Sequence, residues 1–330
     1  MTWLVTGGSG FLGVHLLRRL VATGIPARSL DLVPGAPEGV AELVGDVGDV
    51  TVLRAALEGA HVVVHAAAAL PSGGDLGAVN ATATQVVARA AAEAGVQRSI
   101  LISSGVIYGL GRSPLRESDE PRPVEAYGRS KVVAEQAWLA DAPAPVVLRP
   151  SAFLGPERLG VFGILFRWIR EGRRIYVLGA GGNRYQLLDV YDLVSAVVLA
   201  GASDAGGVFN VGGVVSGTVR QDLDALIAHA ESTSRVVGVP QAPARAVLGA
   251  LDTLRLSPLS TWHIRSAGLD FVLDCSRAAE LLGWTPTRSG ADALRRSYDW
   301  FLEEGAAQPT GTTHRTFWHE RGLAVLRRLS

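Results

Sequence analysis

Three observations predict an α/β chain with a doubly wound parallel sheet and a smaller C-terminal lobe. Short apolar runs alternate with helical patterns from Trp3 onward. A glycine-rich turn joins the first run to the first helix. Two more strand-like runs, Val146–Leu148 and Val208–Val211, carry the sheet past the first half. The 330 residues are 48% hydrophobic and 19% charged, which supplies a core and argues against disorder. At roughly 100–200 residues per domain, that length holds one large domain or two smaller ones.

The elements follow in order. Trp3–Thr6 is a short apolar run ending at glycines, which predicts a buried strand. Gly7-Gly8-Ser9-Gly10-Phe11-Leu12-Gly13 comes next, and Val14–Thr23 reads as a helix with apolar Val14, Leu16, Leu17, Leu20 and Val21. Gly7, Gly10 and Gly13 have the spacing GxxGxxG. Such glycines permit a tight turn, close approach to a pyrophosphate, and close packing of helix on strand. The helix start then offers free N–H groups to the phosphates. A glycine turn alone is weak evidence among 39 glycines, but its place after a strand and at a helix start points to a Rossmann-type dinucleotide-binding unit. A second strand, Ala27–Leu30, ends in Asp31. A carboxylate there accepts bonds from the adenosine ribose hydroxyls and repels a 2′-phosphate, which favours NAD over NADP. The plainer alternative is a loop Asp ahead of Pro34-Gly35, and Arg28 nearby is a residue type that serves 2′-phosphates.

Gly45-Asp46-Val47 precedes a helix over Asp49–Gly59. His61–Val64 is a strand running into His65-Ala66-Ala67-Ala68. Small residues such as Ala66 and Ala67 at a strand's carboxyl end let a cofactor lie against the backbone. In an alanine-rich chain that pattern alone decides nothing. Asn80–Ala94 reads as a helix ended by Gly95, and Ser99–Ile102 as a strand followed by Ser103-Ser104.

Tyr127-Gly128-Arg129-Ser130-Lys131 opens a helical stretch running to about Leu139. Residues at i and i+4 share a helix face, so a phenol stands beside an ammonium. A phenol with a pKa of about 10 is a poor acid–base group at neutral pH, and a neighbouring cation is expected to lower it. Tyr127 would then exchange a proton with an alcohol while a hydride moves. Lys131 is also placed to bond the nicotinamide ribose. On its own a Tyr-x-x-x-Lys pair is an ordinary surface contact. Here Lys131 is the single lysine among 31 basic residues, and its compact charge differs from a planar guanidinium. A hydroxyl just past the strand at 99–102 would orient the reacting oxygen. Ser103 and Ser104 both qualify by spacing.

With these motifs the chain resembles an extended short-chain dehydrogenase/reductase of the NAD-dependent epimerase/dehydratase family. The matching segments are Thr6–Gly13, Gly45-Asp46-Val47, His65–Ala68, Ser103–Gly109, Tyr127-x-x-x-Lys131, Arg149-Pro150 and Leu282–Pro286, in the family's order. The resemblance implies NAD held by Gly7, Gly10, Phe11, Leu12, Gly13 and Asp31, with Asp46 and Val47 at the adenine. Ala66, Ala67, Pro150, Tyr127 and Lys131 complete the cofactor set. It implies Ser104 as the catalytic hydroxyl, Tyr127 as base and Lys131 as helper.

The departures bear on the substrate. The family's 4,6-dehydratases follow the catalytic hydroxyl with Asp-Glu; here Gly105-Val106 follow Ser104. Sugar-nucleotide members carry Asn three residues after the Arg of Arg-Pro; here that position is Ala152. A small residue there resembles members acting on steroids and other non-nucleotide alcohols. The phosphate-binding Arg of the nucleotide group corresponds to Arg184, one residue further than usual from Asp192. Ser104, Ala152 and Arg184 are therefore the candidate substrate contacts. The expected activity is NAD(H)-dependent redox at a secondary alcohol or ketone, first as a nucleotide-sugar 4-epimerase or 4-ketoreductase. The alternatives are a 3β-hydroxysteroid-dehydrogenase-like or other non-nucleotide alcohol enzyme, and a non-catalytic NAD-binding sensor.

The expected organisation is a NAD-binding domain at 1–155, continued near 186–211, with 156–185 and 212–330 forming the substrate lobe. The helices over 80–94 and after 127 are expected to pair in a homodimer. Thr287–Glu304 reads as an amphipathic helix and 313–330 as a docked terminal helix. Formal net charge is zero at a pI of about 7.1, which gives no basic face for nucleic acid. Cys275 is the only cysteine, and His314 and His319 lack the HExxH frame, so no metal site is expected. No apolar stretch approaches the roughly 18 residues of a membrane helix. Met1–Thr6 runs straight into the first motif, so a cytoplasmic setting is expected.

Overall fold

The computed structural model describes residues 1–69, 76–253 and 261–304. The central sheet is formed by β1 (Trp3–Thr6), β2 (Ala27–Asp31), β3 (Ala41–Val44), β4 (Val62–His65), β5 (Arg98–Ile102), β6 (Pro145–Pro150) and, later in the chain, Gly207–Val211. Between these last two come β7 (Ala152–Leu154), β8 (Arg174–Leu178) and β9 (Leu187–Asp189), so Gly207–Val211 is β10. Seven strands lie in the order β10-β6-β5-β4-β1-β2-β3, all parallel.

The order reverses beside β1, which pairs with β2 on one side and β4 on the other. Ligands of such sheets bind in the crevice past the carboxyl ends at that reversal. Thr6, Asp31, His65, Ile102 and Pro150 end their strands there. β1, β4 and β5 are buried along their whole length, as the covered strands of a parallel sheet require.

Alternate strand residues feed two cores. Val5, Val62, Val64 and Ile100 pack under α1 (Phe11–Ala22) and α6 (Val190–Ala202). Leu4, Val63, Leu101 and Val147 pack under α2 (Val50–Leu57), α3 (Ala83–Glu93) and α4 (Ala126–Asp141), with Trp138 fully enclosed. Leu16 is wholly buried, and cutting such a side chain to alanine costs about 2–5 kcal/mol.

A smaller lobe joins α5 (Gly160–Arg170), α7 (Val219–His229), the strand pair β8 and β11 (Arg235–Val239), and α11 (Gly290–Glu303) around Phe166, Leu226, Tyr298 and Phe301. Between α7 and α11 lie α8 (Gln241–Thr253), α9 (Thr261–Ser266) and α10 (Ser276–Leu282).

The structure refines several boundaries. α1 starts at Phe11 rather than Val14, so Phe11, Leu12 and Gly13 form its first turn. The expected helix over 80–94 opens as a π-helical turn, Ala78–Thr82, before α3. That turn seats the Asn80 side chain against the Ala69 backbone, 2.7 Å from its N–H. The edge strand β3 went unseen because Ala41–Val44 is largely exposed and carries no buried alternation. The expected terminal helix over 313–330 lies outside the described residues.

Candidate active site

The glycine turn packs against the loop after β4. Gly7 has φ +73°, and a Cβ there would stand 2.6 Å from Ala67 N and 2.8 Å from Ala66 C. A Cβ on Gly13 would stand 2.2 Å from Gly7 O. Over Gly10 the only near atom is Gly7 O at 3.1 Å, so the turn is open there. Gly10 caps α1 without a side-chain bond, and the first-turn N–H groups of Phe11, Leu12 and Gly13 have no intrahelical acceptor. Asp31 Oδ2 accepts the Ser9 N–H at 3.0 Å, which fixes its carboxylate at the rim of the turn. Arg28 faces elsewhere: its guanidinium donates to the Ala56 and Glu58 carbonyls. The competing 2′-phosphate cation is thereby occupied.

These features fit a dinucleotide: a glycine cradle that a Cβ would fill, free N–H groups at a helix start, and a carboxylate at the end of β2. Ala66 and Ala67 are half-buried beside the turn, and Pro150 is buried at the end of β6. Asp46 is exposed and accepts the Gly48 N–H at 2.8 Å, whereas Val47 packs into the core under α2.

Helix α4 presents Tyr127, Lys131 and Glu135 one turn apart on a single face. Lys131 Nζ lies 5.9 Å from the centre of the Tyr127 ring and donates to the Ile102 carbonyl at 3.0 Å. Burial pulls the Lys131 pKa down to about 8, with Glu135 opposing. Tyr127 departs from expectation. Burial pushes its phenol up to about 12, and the cation that pulls it back is Arg158, with Glu125 adding to the rise. The sequence predicts a phenol made more acidic by Lys131; in the fold burial raises it, and Arg158 is the cation that opposes the rise.

The two serines separate. Ser103 Oγ is buried and donates to the Glu135 carboxylate. Ser104 is half-buried at the start of the 3₁₀ turn Gly105–Tyr108, where its Oγ accepts only a long 3.4 Å bond from Val106 N–H. Its hydroxyl proton is left to donate.

Sequence reasoning missed what lies behind this face. Glu135 holds Arg149 in a two-pronged ion pair, with Nη2 to Oε2 at 2.6 Å and Nε to Oε1 at 3.0 Å. Arg149 Nη1 donates to Tyr108 Oη at 2.7 Å, which donates to Asn210 Oδ1 at 2.7 Å. His65 is enclosed between Thr6 and Thr84 and stacked on Trp138. Burial and the nearby Lys131 hold its pKa near 3, so it is neutral. The repeat of four from Lys131 to Glu135 was the signal for this network. Arg158, in Gly155-Pro156-Glu157-Arg158, carried no signal.

Two candidate substrate residues fall differently. Ala152 is half-buried in β7, which follows directly on β6. Arg184 is turned outward: its side chain is 54% exposed and pairs with Asp270 at 3.4 Å. Among the described residues, no cluster of His, Cys, Asp or Glu forms a metal site, and no helix is long and apolar enough to cross a membrane.

Comparison with known proteins identifies the family. The family model for the NAD dependent epimerase/dehydratase family matches residues 3–212. An uncharacterized protein, y4nG of Sinorhizobium fredii, is 32% identical over 98% of this chain and 85% of its own length. A 4-hydroxy-2-methyl-3-oxo-4-farnesyl-3,4-dihydroquinoline-1-oxide ketoreductase of Stigmatella aurantiaca is 29% identical, over 90% of this chain and 96% of its own. Among solved structures, MoeE5 in complex with UDP-glucuronic acid and NAD superposes with a TM-score of 0.74 at 26% identity, covering 92% of this chain and 99% of that one. From the glycine cradle to the end of β10, sequence and structure agree that the chain belongs to the NAD dependent epimerase/dehydratase family of enzymes.

Proposed function

We propose that the protein is an NAD(H)-dependent oxidoreductase acting at a secondary alcohol or ketone. The observation that carries this reading is the half-buried Tyr127 above a buried Lys131, with an uncommitted Ser104 hydroxyl at the head of the neighbouring turn. Gly7, Gly10, Phe11, Leu12, Gly13, Asp31, Ala66 and Ala67 would hold the dinucleotide. Bound NAD(H) supplies a hydride acceptor or donor.

The chain's own residues do the rest. With its phenol near 12, Tyr127 is protonated at neutral pH and is set to give its proton to a ketone oxygen. Ser104 donates to the same oxygen and fixes its direction. Lys131, anchored on the Ile102 carbonyl, is the near cation for the phenolate that remains. In the oxidative direction Tyr127 takes the alcohol proton back.

Net reduction or oxidation of a non-nucleotide alcohol is the better supported form. Arg184 is paired with Asp270 at the surface, and Ala152 offers no hydrogen bond to a diphosphate. The full-length relative from Stigmatella aurantiaca is a ketoreductase. A nucleotide-sugar 4-epimerase or 4-ketoreductase is the second reading, favoured by the likeness to MoeE5 with its UDP sugar. The intact Tyr127, Lys131 and Ser104 argue against a non-catalytic NAD sensor. We also propose a homodimer through α3 and α4, where Val133 and Leu139 are exposed on α4; light scattering tests it.

The deciding experiment is to purify the protein, denature it and assay released NAD(H), then screen secondary alcohols and ketones for a change in NADH absorbance. An empty site with substrate-dependent absorbance supports net redox. Retained cofactor with no net change on any substrate, and interconversion of UDP sugars, supports the epimerase.

A further inference from the structure

Arg158 is a half-buried cation set among rings. Its guanidinium carbon lies 5.3 Å from the centre of Phe11, 5.1 Å from Phe153 and 5.9 Å from Phe162. Phe11 and Phe153 stack on each other at 5.7 Å and form the floor of this cage. Phe11 is the first residue of α1 in the glycine turn, Phe153 lies in β7 and Phe162 in α5. The guanidinium thus sits where the cofactor cradle meets the smaller lobe. Its Nη1 is buried and has no hydrogen-bond partner.

A buried guanidinium normally has its donors filled by a carboxylate or carbonyls, because an unpaired buried donor is costly. Ring faces offset part of that cost but accept no planar N–H fork. The neighbouring Glu157 does not fill the role, since its carboxylate pairs with Arg18. The charge is felt by two groups of the site. It pulls the Tyr127 phenol down and helps burial hold His263 near 4. Burial lowers Arg158 itself to about 10, which leaves it cationic at neutral pH.

We propose that Arg158 is an oxyanion-binding residue of this site, with the free Nη1 donating to a phosphate or carboxylate oxygen of a bound ligand. Two ligands carry that chemistry: the cofactor, through its pyrophosphate, and an acidic substrate, through a carboxylate or phosphate near the reacting carbinol. A guanidinium suits either, because its planar fork matches both groups. The inference rests on the redox reading only for the identity of the two ligands; the unfilled donor is independent of it.

The test uses the full chain with Arg158→Met, which removes the charge in similar volume, and Arg158→Lys, which keeps charge without the fork. Affinities are measured by calorimetry for NAD+. With NAD+ saturating, they are measured for UDP-glucuronate against UDP-glucose, and for a 3β-hydroxysteroid with and without a carboxylate. Inorganic phosphate is included, read as a rise in melting temperature. The expected result is a loss of tenfold or more for NAD+, or for the acidic member of a pair with NAD+ unchanged, and partial rescue by lysine. The first assigns the cofactor pyrophosphate and the second the substrate anion. Ligand-free Arg158→Met should melt no lower than the parent. The proposal is overturned if every probe, phosphate included, stays within twofold in both variants. It is also overturned if the methionine variant melts lower while affinities hold. Failure of the redox reading looks different: Tyr127→Phe would leave turnover unchanged while these binding results stand.

Discussion

Two arginines at opposite ends of one helix face meet opposite fates. At the Glu135 end of α4, Arg149 has its fork filled by a carboxylate and a phenol. Burial works against its charge, yet Glu135 outweighs burial and holds its pKa above the usual value. At the Tyr127 end, Arg158 has rings around it and an unfilled Nη1, and burial lowers its pKa. The first end is closed and completes the fold. The second is open, and it is the end that faces the cofactor turn and the smaller lobe. Lys131 lies between them, buried and tied to a backbone carbonyl.

The largest test of that contrast is stability. Arg149→Met strands the Glu135 carboxylate in the core and should cost about 3–5 kcal/mol in urea unfolding. If Arg149→Met and Arg158→Met cost the same, the contrast is broken.

Next comes the cation between them. Lys131→Arg keeps the charge, but a guanidinium does not fit the anchor on Ile102 O beneath the Tyr127 ring. Turnover should fall about 100-fold, or ~2.7 kcal/mol. Near-normal kcat would show that any cation suffices there.

A smaller effect is pH. Lys131 loses its proton near 8 in the folded chain, against 10.5 in a free lysine. Rates should therefore decline as pH rises through about 8. Between pH 5 and 7 they should be flat with respect to His65 and His263, which are held neutral near 3 and 4. The stability sign is the reverse. Between about 8 and 10.5 the unfolded chain keeps a lysine proton that the folded chain has released, so this group makes folding more favourable as pH rises. A rate that climbs from pH 8 to 10 would contradict a required Lys131 ammonium.

The remaining effect belongs to the cofactor rim. Asp31→Ala removes the carboxylate fixed by Ser9 N–H and should weaken NAD binding by about 1.5–3 kcal/mol while narrowing its preference over NADP. Unchanged affinity for both dinucleotides would remove Asp31 from the site.

Backbone rules made the cofactor side readable. Gly7, Gly13 and the strand ends obey steric limits that act locally, so their spacing carries the fold. The i, i+4 rule placed Tyr127 above Lys131 for the same reason. The substrate side was hidden because its geometry depends on contacts far apart in sequence. Arg184 and Asp270 are 86 residues apart, and nothing local announced that they pair at the surface. Spacing did not separate Ser103 from Ser104, and the contact that does, to Glu135, is 32 positions on. The sense of the Tyr127 pKa was missed because burial, a property of the whole fold, overrides one neighbouring charge. Arg158 stayed invisible because its cage joins Phe11, Phe153 and Phe162 from three elements.

In the proposed reaction Tyr127 moves the substrate proton while the rest of the site binds and orients. It is tested most directly by Tyr127→Phe, assayed on the best alcohol or ketone from the screen, with NAD+ affinity measured in parallel. The expected result is a fall in kcat of about 100-fold or more, with NAD+ affinity within twofold of the parent. A kcat within threefold of the parent, at unchanged NAD+ affinity, would contradict it.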